Sequence, residues 1–112
     1  MIYSFNGRQN TGDGAGPTSG IIVENNRNLF GTTSIGGAND NGTIFEIPAG
    51  GTEAVIYQSS GSPGDGAHPE ASLIADNRGN LYGTTVDGGT SRNCGNSGCG
   101  TLFRLTGRGF VP

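Results

Sequence analysis

Apolar residues in this chain come in short runs separated by polar, glycine-rich stretches. Segments 2–6, 19–24, 28–34 and 42–47, then 54–59, 71–76, 80–86 and 100–105, are rich in Ile, Val, Leu, Phe, Tyr and Thr. Each is bounded by Gly, Pro, Asn or Asp, which is how strands read. In Ile44-Phe45-Glu46-Ile47 and Leu102-Phe103-Arg104-Leu105 a charged residue falls between apolar neighbours, the alternation of a half-buried strand. Asn25-Asn26-Arg27 and Asp76-Asn77-Arg78-Gly79 join the second and third strands of each set. They predict tight turns, because Asn, Asp and Gly tolerate positive φ. No ten-residue window carries a helical period, so the pattern predicts an all-β chain of eight short strands.

The two sets of four are copies of one another. Asn28-Leu29-Phe30-Gly31-Thr32-Thr33 returns as Asn80-Leu81-Tyr82-Gly83-Thr84-Thr85, an offset of 52. Asp13-Gly14-Ala15 returns as Asp65-Gly66-Ala67, and Gly36-Gly37 as Gly88-Gly89, at the same offset. Gly42-Thr43-Ile44-Phe45 returns as Gly100-Thr101-Leu102-Phe103 at an offset of 58, so the second copy carries an insertion of about six residues. Ile2-Tyr3 matches Ile56-Tyr57 at 54. The repeats are therefore expected over 2–55 and 56–112.

Four antiparallel strands in about 52 residues match the size of one β-propeller blade, whose known repeats run from about 40 to 50 residues. Blades pack face to face, and each needs neighbours to cover its apolar faces. Two blades leave two faces open. Three solutions remain at this point: several chains complete one ring, the chain is a piece of a longer one, or the fold is not a propeller. The expected architecture is two four-stranded antiparallel propeller blades per chain, with the ring completed by identical chains.

Composition narrows the class further. Of the 112 residues 23 are Gly, and 31% are hydrophobic. This Gly content disfavours long helices and coiled coils, and no run approaches the ~18 apolar residues of a membrane-spanning helix. The net charge is -3, and all six basic residues are single, scattered Arg. Nucleic-acid binders carry a basic patch or stripe, so nucleic acid is not an expected partner. The segment after Met1 lacks the charged and apolar regions of a signal peptide.

The motifs Tyr-Ser-Phe at 3–5, Asp-Gly-Ala at 13–15 and 65–67, Asn-Leu-Phe/Tyr-Gly-Thr-Thr at 28–33 and 80–85, and Gly-Thr-Ile/Leu-Phe at 42–45 and 100–103 resemble the GloVer-type tandem repeats of bacterial choice-of-anchor surface proteins. The resemblance covers both copies. Copy two departs where Tyr57 is followed by Gln58-Ser59, and copy one lacks the Cys pair. The resemblance implies a secreted or cell-surface parent protein, many repeats in a row and a propeller; it implies no known reaction. The chain opens at Ile-Tyr-Ser-Phe and closes where the next Ile-Tyr would begin, which suits a two-repeat unit assembling by cyclic symmetry. Three chains would give six blades and four would give eight.

Candidate chemistry is sparse. Cys94 and Cys99 lie in Cys-Gly-Asn-Ser-Gly-Cys, within the insertion. A small-loop disulfide is the favoured reading. Structural zinc wants four Cys or His ligands, and redox pairs favour Cys-x-x-Cys, so neither a metal nor another cofactor is expected. Asp13, Asp65 and His68 are the candidate ligand-binding residues. Asp13 and Asp65 recur at equivalent places, either as loop ligands or as turn caps bonding their own backbone. His68 is the one histidine and stands where copy one has Gly16. The repeated aromatics suit core packing between sheets, together with Ile21, Val23, Leu29, Ile44, Leu73, Ile74, Leu81 and Leu102. Glycine-rich 12–16 lacks the Gly-Lys-Ser/Thr of a phosphate loop.

The first functional expectation is a non-enzymatic, self-assembling propeller scaffold or an extracellular recognition module, with a glycan or a surface protein as its further partner. The alternative is a glycan-active hydrolase or lyase using loop carboxylates from Asp13, Asp65, Asp87 and Glu70, which would require a fixed pair separation.

Overall fold

A computed structural model describes residues 3–7, 13–24, 27–51, 53–59, 65–76, 78 and 80–105. Among these residues the chain is all-β. The strands are β1 (Gly14–Ala15), β2 (Ile22–Val23), β3 (Leu29–Thr33), β4 (Ile35–Gly36), β5 (Thr43–Ile47), β6 (Ala54–Gln58), β7 (Gly66–Pro69), β8 (Ile74–Ala75), β9 (Leu81–Gly88) and β10 (Thr101–Leu105). One four-stranded sheet runs β2-β3-β5-β6. A second joins β10, β9 and β7, with β8 also pairing β9, and β1 pairs β4 in a small ribbon. The pairings between these strands are antiparallel. Among the described residues the sheets close neither into a barrel nor into a propeller ring.

The two repeats build the same ladders. Gly31 faces Phe45 and Thr32 faces Ile44 across β3 and β5; Gly83 faces Phe103 and Thr84 faces Leu102 across β9 and β10. The glycine of each pair is required by the ring opposite. A Cβ on Gly31 would stand 2.7 Å from Phe45 Cζ, and one on Gly83 would collide with Phe103 and Leu73. Paired threonines repeat as well, with Thr33 and Thr43 hydroxyls 2.7 Å apart and Thr85 and Thr101 hydroxyls at the same separation.

The alternating strands expected at 42–47, 80–86 and 100–105 form as β5, β9 and β10. The segments at 19–24 and 71–76 shorten to the two-residue strands β2 and β8. The strand expected over 2–6 does not form in its described part. Tyr3–Asn6 join no ladder, and Ile2 lies outside the described residues. The reason is partnership: the matching segment of repeat two is β6, and β6 pairs with β5 of the repeat before it. No described strand precedes Tyr3 to play that part. The boundary between 55 and 56 falls inside β6. Conversely, Gly14–Ala15 and Gly66–Pro69, expected as loop, are extended and paired to Ile35–Gly36 and to β9. Pro69 is tolerated at the end of β7 because terminal and edge positions need not donate to a ladder.

The core lies between the two four-stranded sheets. Phe30 and Ile44 of the first meet Leu73 and Leu81 of the second, with Ile22, Ile56, Ala75, Phe103 and Leu105 around them. Residues alternate between the two faces of a strand, so each sheet offers one face to this core. The first uses the face of Ile22, Phe30 and Ile44; the second uses the face of Leu73, Leu81 and Phe103. Among the described residues the opposite face of the first sheet is covered only at Phe45, which is buried beneath Phe5 with ring centroids 4.9 Å apart, and at its threonine pair Thr33 and Thr43. Ile21, Val23, Ile74 and Leu102, expected in the core, are all exposed, because their side chains point away from the single sheet-to-sheet contact.

Candidate functional site

The repeated aspartates each anchor a hydrogen-bond network that recurs in both repeats. In repeat one the Tyr3 hydroxyl donates to Asp13 Oδ2 at 2.7 Å and the Asn6 N–H donates to the same oxygen at 2.9 Å. The Gly14 N–H donates to Oδ1 at 2.8 Å, and the Gly37 N–H reaches the Asp13 carbonyl at 2.6 Å. Repeat two reproduces this arrangement. The Tyr57 hydroxyl donates to Asp65 Oδ2, the Gly66 N–H to Oδ1 at 2.8 Å and the Gly89 N–H to the Asp65 carbonyl at 2.8 Å. In both repeats the aspartate ties the tyrosine, Tyr3 or Tyr57, to the Gly-Gly turn. This is the self-capping chemistry of aspartate in turns, extended by a tyrosine.

Repeat one adds a second carboxyl that the sequence did not single out. Glu53 lies beside Asp13, and its buried Oε2 has no hydrogen-bond partner among the described residues. Burial first, and then the neighbouring Asp13, push the Glu53 carboxyl up to about 7. Burial would also raise Asp13, but hydrogen bonds from the Asn6 N–H, Tyr3, Glu53 and the Gly14 N–H outweigh it and hold that carboxyl below its usual value. The pair therefore divides its roles, with Asp13 ionised and Glu53 keeping its proton towards neutrality. The bond to Asp13, and then burial, raise the Tyr3 hydroxyl above its usual range. Burial and Asp65 push Tyr57 up to about 12. The cleft beside Asp13 and Glu53 is lined by Tyr3, Asn6, Val55 and Gln58. Glu53 was hard to read because it stands outside every repeated motif. The Tyr–Asp pair had a signal, the joint recurrence of Ile-Tyr and Asp-Gly-Ala.

His68 occupies a left-handed backbone position, φ 59°, where Gly16 has φ 63°. Its N–H donates to the Asn41 carbonyl at 2.7 Å, and its Nδ1 donates to the Ser34 carbonyl at 2.7 Å. Nε2 stands 4.0 Å from Asp87 Oδ2. The histidine thus joins repeat two to loops of repeat one. Its described partners Asn41, Ser34 and Asp87 differ from those described for Asp13. Glu70 is exposed. Asp76, in the turn before β9, accepts from Asn80 Nδ2 at 2.9 Å and from the Arg78 and Asn80 N–H groups. Those bonds, led by the Asn80 side chain, lower its carboxyl to about 2.

Cys94 and Cys99 form a disulfide, on the exposed loop between β9 and β10. Among the described residues no group of three or more His, Cys, Asp or Glu is placed to hold a metal ion. No helix among them is long and apolar enough to cross a membrane. The arrangement can hold a proton at Glu53, order its loops around two aspartates and present polar clefts at the strand ends.

No curated protein and no solved structure matches the chain. The duplicated Tyr–Asp bonds, the Gly–Phe ladders and the paired threonines all fall on the repeated motifs. A family model matches residues 1–111, and the chain belongs to the Gloeobacter/Verrucomicrobia repeat family.

Proposed function

We propose that this chain is a non-enzymatic tandem-repeat module whose repeats stack as propeller-like blades, in an extracellular scaffold that presents its polar loops to a glycan or a surface protein. One observation carries the reading. The apolar face of one repeat's sheet is covered by the opposite face of the next repeat's sheet, which is how blades and solenoid repeats gain stability. The Asn-, Thr- and Ser-rich loops suit adaptable hydrogen bonding to a polar ligand. The Cys94–Cys99 disulfide suits an oxidising compartment. Light scattering on the native particle tests the reading. A mass of three or four chains supports a closed assembly, and a monomer at all concentrations overturns it.

A second reading, a glycan-active enzyme, draws on the Asp13–Glu53 pair. A carboxyl raised to about 7 beside an ionised one is the division of labour that acid–base catalysis uses. Its test is a screen against polysaccharides with Glu53→Gln as control; turnover surviving that change removes Glu53 as the acid.

A further inference from the structure

The contact between the two repeats is a template that the chain can use again. Across it, the face bearing Ile22, Phe30 and Ile44 meets the face bearing Leu73 and Leu81. The repeat carries each of these positions to the other sheet: Ile22, Phe30 and Ile44 correspond to Ile74, Tyr82 and Leu102, while Leu73 and Leu81 correspond to Ile21 and Leu29. Burial differs sharply between counterparts. Ile44 is 2% exposed and Leu102 76%, while Leu73 is 1% exposed and Ile21 55%. Each sheet thus carries exposed counterparts of contact residues, Ile74 and Leu102 on one and Ile21 on the other, while Phe45, on the face of Ile21, is already covered by Phe5.

The strand edges follow the same logic. β5 carries β6 on its outer side, with Ile44 opposite Tyr57. β10 is the counterpart of β5, yet among the described strands it pairs with β9 alone. Tyr3 is the counterpart of Tyr57 and already makes the matching bond to its aspartate, while joining no ladder. Carried over by the repeat, the β5–β6 register sets Tyr3 opposite Leu102.

We propose that a second copy of this chain docks head to tail, its Ile21 and Val23 face covering the Ile74, Tyr82 and Leu102 face of the first, with its Tyr3 segment added as a strand to the side of β10 away from β9. The proposal rests on the stacking reading above and names the surface that performs it. The occupant is a second copy because the complementary half is present on the same molecule and is continuous with the contact already formed between the repeats. Such an interface uses different patches on the two partners, so it propagates until the rotation closes a ring or a filament grows.

The test uses Leu102→Asp, which spoils one face, and Ile21→Asp, which spoils the other. Both side chains are exposed, so each variant should keep the wild-type far-ultraviolet circular dichroism; Ile74→Asp and Val23→Asp serve as replacements if one does not. The expected result is an assembled wild type, two monomeric variants, and a two-chain species when the variants are mixed in equal amounts, since the mixture retains one intact pair of faces. Wild-type assembly unchanged in both variants would overturn this surface and leave stacking itself standing. Monomeric variants that fail to pair on mixing would overturn the head-to-tail arrangement. A monomeric wild type would overturn the stacking reading and the proposal together.

Discussion

Ile44 and Leu102 sit at the same place in two copies of one ladder, facing Thr32 and Thr84 respectively, yet Ile44 is 2% exposed and Leu102 76%. Truncation should expose the difference. Ile44→Ala should cost about 2–5 kcal/mol, as for a buried aliphatic side chain. Leu102→Ala in the monomer should stay within about 0.5 kcal/mol, as for an exposed site. Urea unfolding of both variants at low concentration checks this; equal losses would show that the open face is covered in solution.

The same asymmetry applies to Leu29 and Leu81. Leu81 is completely buried and Leu29 half-buried, so Leu81→Ala should be the more damaging change, again by about 2–5 kcal/mol. A larger loss at Leu29 would mean that its face is filled by a neighbour.

Glu53 gives the fold a pH dependence of definite sign. Its carboxyl rises from 4.5 to about 7 on folding, so between these values the folded chain holds more proton than the unfolded one. Stability from this group is complete below pH 4.5, declines as the pH rises through about 7, and then levels off. Asp13 and Asp76, both lowered, act oppositely and lose their contribution as the pH falls below the ordinary carboxylate range. Melting temperatures from pH 4 to 9 should fall across the Glu53 window in the wild type, and Glu53→Gln should flatten that fall. A variant as steep as wild type would place the titration elsewhere.

Gly83→Ala should destabilise by roughly 1–3 kcal/mol through overpacking, because a Cβ there collides with the Phe103 ring. Pairing it with Phe103→Leu should restore part of the loss. An additive double variant in thermal unfolding would show that the ring is not the obstacle.

The Cys94–Cys99 link closes a short loop, five residues apart in sequence. Replacing both by Ser should cost on the order of 2 kcal/mol, the chain-entropy value for so small a loop. The effect should be local, with faster amide exchange at Gly88, whose N–H bonds the Ser97 carbonyl at 2.6 Å. Unchanged exchange there would show that the loop is held without the link.

Strands β5, β9 and β10 were legible because alternation in Ile44-Phe45-Glu46-Ile47 and its relatives is a property of neighbouring residues. β7 was not, because Gly-Ala-His-Pro has the composition of a loop and becomes extended only when β9 lies beside it. Asp13 and Asp65 were legible as recurring residues and as turn caps. Their tyrosine partners were visible only as aromatics, since a Tyr–Asp bond spans two segments of the chain. Glu53 was illegible: its proton is held by the packing of a non-repeated residue against Tyr3 and Asp13.

The sequence alone determined the duplication and the positions of the main strands, which depend on local period and on spacing that recurs; the glycines facing phenylalanine came from strand register, which only the fold sets. Which face of each sheet is covered was decided by tertiary structure alone. Ile44 and Leu102 have the same neighbours along the chain, and Ile21 and Leu73 both open a short apolar run before a turn. Burial depends on which sheet stands opposite, and one sheet-to-sheet contact can cover only one face of each partner.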